Sequence, residues 1–167
     1  MNAPAKALLL LACVRCIEAG AAERYAILEP KPITELERPC SRAGPGFVYG
    51  YWAALEQDAE RAEKLLPGFV ATVDRSVSPT SQSRRQYIGV IVDQKHFLYI
   101  NFFPESYLDQ LEYSREFSRR EFPRRPLPTI DDWRTTFVAV CDGGPDYWSV
   151  LFEPETREFV TPRFNGR

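Results

Sequence analysis

The chain predicts an α+β fold, with one main N-terminal helix packed on a curved antiparallel sheet of about five strands. Three observations carry this reading. Apolar residues recur at helical spacing from about 51 to 66. Two nearly continuous apolar runs, 86–92 and 96–103, flank the turn-forming stretch Asp93-Gln94-Lys95. Three more apolar-rich runs, 137–141, 147–152 and 159–164, are separated by Asp142-Gly143-Gly144-Pro145-Asp146 and by Pro154-Glu155-Thr156-Arg157. Gly, Pro and Asp favour turns, and runs rich in Val, Phe, Tyr and Trp between such breaks read as a β-meander. One helix laid across successive antiparallel strands resembles a cystatin-like roll in layout, which assigns no function.

The 167 residues have room for one ordinary domain. With 44% hydrophobic and 26% charged residues the composition is globular rather than disordered. A net charge of −2 points to neither nucleic acid nor a membrane surface as an overall partner.

At the N-terminus, Lys6 precedes a short apolar core over 7–14, and Ala19-Gly20-Ala21 supplies the small residues a signal peptidase requires. Residues 1–22 therefore read as a signal peptide, interrupted by Arg15 and Glu18 and too short for a transmembrane span. A rival reading takes Leu10-Leu11-Ala12-Cys13 as a lipobox with Cys13 lipidated, and a third takes the stretch as the first helix of a cytosolic protein. Cleavage after Ala21 or Ala22 removes Cys13 and Cys16 and leaves Cys40 and Cys141. In a periplasmic or secreted protein such a pair is most simply a disulfide, the alternative being two unpaired thiols.

Residues 23–46 carry Pro30, Pro32, Pro39 and Pro45 with Gly44 and Gly46. That density excludes a regular helix and predicts an extended surface arm with a short edge strand near 25–28. A single α+β domain then occupies 47–167. Trp52, Leu55, Ala59, Ala62 and Leu66 share one face of the predicted helix, and Glu56, Asp58, Glu60, Arg61, Glu63 and Lys64 fill the other. Pro67 either opens a further helical segment carrying Phe69, Val70 and Val73 or gives way to a strand over 69–77. Residues 76–83 form a polar loop. Gly89 marks a bulge or a close approach by the helix. Beyond Pro104, residues 105–117 predict a short helix and 118–128 a long basic loop. Trp133 anchors that loop to the core.

A set of motifs runs through the later chain: Arg85-Gln86-Tyr87, Val140-Cys141-Asp142-Gly143-Gly144, Tyr147-Trp148-Ser149-Val150, Glu153-Pro154 and Phe164-Asn165-Gly166. Together they resemble a family of small exported bacterial proteins of uncharacterised function. Ser149 stands where that family has Gly, and Phe152 where it has Tyr. The resemblance implies bacterial origin and export and transfers no catalytic residue.

His96, the sole histidine, sits at a hairpin edge beside Lys95; a catalytic base needs a nucleophile and an orienting carboxylate, and nothing in the sequence places Ser or Cys near it. Asp142 and Asp146 flank Gly143-Gly144, where two carboxylates can act as an acid–base pair or simply shape a turn. The pattern of a calcium loop or a phosphate-binding loop is absent, and no metal site or cofactor is indicated. Asn101, inside an apolar strand, needs a hydrogen-bond partner, and a backbone contact is the expected one.

Arg115, Arg119, Arg120, Arg124 and Arg125 fall within 115–125 against Glu116 and Glu121. Guanidinium groups recognise carboxylates and phosphates in bidentate fashion. The sequence therefore predicts a non-enzymatic exported binding domain contacting an acidic protein or an anionic envelope glycan through Arg119, Arg120, Arg124 and Arg125, with Tyr113 and Phe122. The alternatives are a cell-envelope hydrolase using Asp142, Asp146 or His96, and a structural accessory subunit that exposes an apolar patch.

Overall fold

The computed structural model describes residues 24–73, 77, 80–121, 123, 132–160 and 162–166. The expected signal peptide, the alternative lipobox at Cys13, and Cys16 lie outside these residues. The described chain is α+β with an open, mixed sheet. In order, the elements are β1 (Tyr25–Ile27), α1 (Thr34–Glu37), β2 (Val48–Trp52), α2 (Glu56–Val70), a 3₁₀ turn (Thr80–Gln82), β3 (Ser83–Val92), β4 (Lys95–Pro104), α3 (Ser106–Glu121), β5 (Trp148–Glu153), β6 (Glu158–Phe159) and β7 (Arg163–Phe164).

The seven strands occupy five positions across the sheet. β3, β4 and β5 form its antiparallel centre. β1, parallel, and β2, antiparallel, share the outer edge of β3: Tyr25 to Ile27 pair with Arg85 to Tyr87, and Trp52 pairs with Gly89. β6 and β7 share the outer edge of β5. The central hairpin turns on two residues, Asp93 and Gln94, both with positive φ (48° and 64°), the geometry that matches the twist of paired strands. β4 accordingly begins at Lys95, and pairing runs unbroken from Val92↔Lys95 to Ser83↔Pro104.

Alternate residues of β3, β4 and β5 face α2. Tyr87, Leu98, Ile100, Phe102, Trp148, Val150 and Phe152 pack there with Ala59, Ala62 and Leu66. These three helix positions are the ones the periodicity predicts. Trp52 and Leu55 differ. Trp52 lies in β2, where its indole N–H donates to the carbonyls of Val90 (3.2 Å) and Phe97 (3.1 Å). Leu55 precedes the first turn of α2 and is exposed. The free edge of β3 captures residues 48–52 before a helix can start, because ladder pairing there outweighs helical spacing. Gly89 answers to that strand and not to the helix: a Cβ on it would stand 2.1 Å from the carbonyl oxygen of Trp52.

Pro67 is carried inside α2, which runs on to Val70 and then relaxes into a turn, with the Thr72 and Val73 N–H groups bonded to the Phe69 and Val70 carbonyls. The alternative strand beginning at 69 does not form among the described residues.

The opposite face of the sheet is covered by segments without regular pairing. The proline-rich arm is not a surface strap. Leu28, Ile33 and Leu36 are buried against Ile88, Val90, Phe97, Tyr99 and Leu151. Between Pro32 and Pro39 the arm even fits one helical turn, α1. Next to it Trp133, Val138, Ala26 and Phe103 form a smaller cluster with Tyr107 and Leu108 of α3, so Trp133 does anchor its segment.

Of the expected meander, only β5 is a full strand. Residues 137–140 form no strand and lie over the sheet instead of beside it. The amide side chains of the sheet satisfy their backbone: Gln86 accepts from the Val138 N–H (2.9 Å), Asn101 donates to the Val138 carbonyl (2.9 Å), and Asn165 donates to that of Val140 (2.6 Å). The last run splits into β6 and β7.

α3 is longer than predicted. Residues 118–121 belong to it, so Arg119 and Arg120 sit in its last turn, not in a loop. Cations there complement the partial negative charge of a helix C-terminus. α2 and α3 are of similar length, 15 and 16 residues, so there is no single main helix. Cys40 and Cys141 are disulfide-bonded, with Cα atoms 5.5 Å apart across a sequence separation of 101. Among the described residues no helix is long and apolar enough to cross a membrane.

Three tyrosines knit the arm and α2 to the sheet, and all three favour the neutral phenol. Tyr87 is fully buried, and its hydroxyl donates to Glu63 at 2.7 Å; burial first, then the Glu63 charge, pushes its pKa well above the usual value. Tyr25 donates to Glu56 and is also raised, chiefly by burial. Tyr51 donates to Glu37 (2.7 Å), accepts from the Ile33 N–H (3.2 Å), and is pushed up to about 12, again chiefly by burial. In the unfolded chain a tyrosine ionises near pH 10. The folded pKa values are higher, so this stabilisation is complete below about pH 10 and is lost as pH rises above it. Urea midpoints should therefore not respond to these phenols up to about pH 9 and should fall steeply between about pH 10 and 12. In that range the tyrosinate absorbance of these three phenols, over and above that of the exposed Tyr49 and Tyr113, should appear together with unfolding, not before it.

Candidate functional site

α3 contributes no fully buried residue. It meets the sheet through Tyr107 and Leu108 near its start. Beyond that turn its side chains divide into two sets. Leu108, Glu112, Arg115, Glu116 and Arg119 recur at intervals that keep them on one side of a helix. With Asp132 and Trp133 they line a groove of about 450 Å³. Tyr113, Phe117 and Arg120, spaced by four and three, form a neighbouring stripe. Tyr113 is 74% exposed and Phe117 51%.

Trp133 forms the buried wall of the groove. Its ring packs edge-on against Phe103, and the guanidinium groups of Arg84 and Arg134 lie 5.3 and 4.7 Å from its centroid. Arg84 also pairs with Glu105 at 2.7 Å. The charge of the groove is mixed, because Glu112, Glu116 and Asp132 face Arg115 and Arg119. Glu116 takes Arg119 at 3.0 Å and Arg120 at 3.1 Å. All three of these side chains are well exposed, and such pairs contribute about 0–1 kcal/mol. They can exchange partners at little cost.

The structure thus gathers Tyr113, Arg119 and Arg120 onto one helix. Phe122, Arg124 and Arg125 lie outside the described residues. Sequence reading missed Trp133 as a wall of this site, having assigned it only an anchoring role, and left Phe117 open between an exposed aromatic and a core residue. The spacing of Phe117 from Tyr113 was a usable signal once a helix was granted.

His96 does not join the two carboxylates of the hydrolase alternative. His96 stands at the turn end of β4, its ring edge-on to Trp52 at 5.5 Å. Phe102, six positions along the strand, pairs with Trp148, which lies just beyond Asp146. At about 3.3 Å per residue His96 is about 20 Å from that end of the sheet. Asp142 itself takes a positive φ of 54°, with its N–H bonded to the Ser41 hydroxyl at 3.0 Å, and Gly144 takes 74°. Gly143 is held close to Tyr147, since a Cβ there would meet the ring at 2.3 Å. These are features of a tightly built turn. Among the described residues no group of three or more His, Cys, Asp or Glu side chains is placed to hold a metal.

The chain matches no protein-family profile, no curated protein and no solved structure.

Proposed function

We propose that the protein is an exported, non-enzymatic binding domain that contacts an acidic partner protein through α3 and the residues after it. The observation that carries this reading is the exposed pair Tyr113 and Phe117 beside arginines held only by shared surface ion pairs. Over 115–125 five arginines against two glutamates leave a charge of +3, whereas the whole chain carries −2. Aromatic anchors beside arginine are what protein interfaces use. Export is supported by the leader-like N-terminus and by the Cys40–Cys141 bridge, since such bonds persist in oxidising compartments. Kinship with the small exported bacterial proteins of the Arg85-Gln86-Tyr87 and Cys141-Asp142-Gly143-Gly144 type, and a roll-like layout of α2 over β3, β4 and β5, belong to the same proposal.

The test is retention of envelope proteins on the immobilised mature chain, with heparin as a separate glycan probe. Replacing Arg119, Arg120, Arg124 and Arg125 by Ala should abolish retention of acidic protein and lower the melting temperature by no more than a few degrees. Phe117→Ser should weaken protein retention and spare heparin binding. Undiminished retention by the four-arginine variant would sink the proposal.

A second reading, an accessory subunit, is favoured by one observation. Phe47 and Tyr49, at the outer edge of the sheet, are 73% and 64% exposed and pack edge-on at 4.7 Å. It predicts self-association measurable by light scattering and lost in Phe47→Ser.

A further inference from the structure

The sheet face under the arm carries a row of buried polar residues where an apolar core is the rule. Gln86, Asn101 and Ser149 are register partners across β3, β4 and β5, and each is at most 2% exposed. Gln86 donates to the carbonyls of Trp133 (2.6 Å) and Thr136 (2.7 Å) and accepts from Asn101 (3.0 Å). Asn101, so oriented, accepts from Nη2 of Arg42 at 2.6 Å. Arg42 reaches this row from the arm, two residues past Cys40.

Arg42 is half-buried and has no anionic partner among the described residues. Its Nε–H is buried without an acceptor, as is the Ser149 hydroxyl. Its Nη1 has no hydrogen bond among the described residues, and the side chain lines the adjoining space. That space is a cavity of about 180 Å³ between the arm and residues 137–141. Among the described residues, Arg42 and Arg38 supply its cations, Glu35 a carboxylate, and Pro39, Phe137 and Val140 much of its apolar wall. A guanidinium taken partly out of water is costly unless an anion or further acceptors complete it. Here the relay from Gln86 through Asn101 already fixes its direction. Fixing a donor in advance lowers the cost of binding what it faces.

We infer that this cavity is a binding site for a carboxylate carrying a short apolar tail. The carboxylate oxygens take the open side of the Arg42 guanidinium, Arg38 adds a second positive charge, and the tail lies on Phe137 and Val140. A single fork with apolar walls suits a carboxylate better than a phosphate dianion, which calls for more donors. The carboxylate can belong to a free short-chain acid or to the C-terminus of a peptide. The site is separate from α3 and does not depend on the function proposed for that helix.

The experiment follows the arginine Nε–H signals of the oxidised protein by NMR during titration with butyrate, with inorganic phosphate at matched ionic strength, and with a peptide ending in Val as free acid or as amide. Butyrate or the free-acid peptide should shift the Arg42 signal saturably in the millimolar range. Which of the two binds more tightly identifies the source. Phosphate and the peptide amide should bind at least tenfold more weakly. Arg42→Gln should lose at least tenfold, whereas Arg42→Lys, which keeps the charge and the reach, should lose less. A wild-type Arg42 signal that shows no saturable shift, or an amide that binds as well as the acid, overturns the inference whether or not the variants fold.

Discussion

Replacing Cys40 and Cys141 together by Ala is expected to lower the unfolding free energy by about 4–5 kcal/mol. The bridge joins residues 101 apart, so its loss frees a long loop of the unfolded chain, and loop-closure entropy at that length supplies most of the figure. The folded consequence is local. The bridge pins the arm whose Leu28, Ile33 and Leu36 cover Ile88, Val90 and Tyr99, while α2 lies on the other face of the sheet. Reduced protein should therefore lose amide-exchange protection first in residues 28–44 and keep it in β3, β4 and α2. Urea midpoints of the oxidised, the reduced and alkylated, and the doubly substituted protein measure the effect. A difference below about 1 kcal/mol would mean that the arm holds its place without the bridge.

Arg85→Ala should cost about 3–5 kcal/mol, the usual result of leaving a buried charge unpaired. Arg85 projects under α2 with its side chain 3% exposed, and it meets Glu63 in a fork: Nε to Oε1 at 2.6 Å and Nη2 to Oε2 at 2.9 Å. Its Nη1 also donates to the carbonyls of Thr80 (2.7 Å) and Ser83 (2.8 Å), which fastens the segment leading into β3. Removing both charges, as Arg85→Met with Glu63→Leu, should cost less than Arg85→Ala alone. What remains comes from the Tyr87 hydroxyl and the two carbonyls, which lose their partners. A double-mutant cycle by urea unfolding separates these parts. Simple additivity of the two single changes would show that the pair is not coupled.

The candidate surfaces were unequally visible in the sequence. The cluster of arginines at 115–125 was plain from composition, and a helix of any length there places Arg119 beside Glu116. The groove wall Trp133 was identified only as an anchor, because nothing local says that α3 lies beside it. The polar row was not read from the sequence. A turn over 93–95 sets Gln86 against Phe102, and only the two-residue turn at Asp93 and Gln94 pairs Val92 with Lys95 and therefore Gln86 with Asn101. Arg42 carried no signal, since an arginine among prolines and glycines has no periodicity to say which way it points.

By itself the sequence determined the parts of this protein that depend on near neighbours: the β3–β4 hairpin and the buried stripe Ala59, Ala62 and Leu66. Tertiary structure alone decided that residues 48–52 join a sheet edge instead of opening α2, that the arm covers one face of that sheet, and that residues 137–140 lie over it. The physical reason is that periodicity reports how deeply a residue is buried but not against what. Partners far apart in the chain are chosen by competition for one sheet's edges and faces, and that competition is settled only when every segment is present.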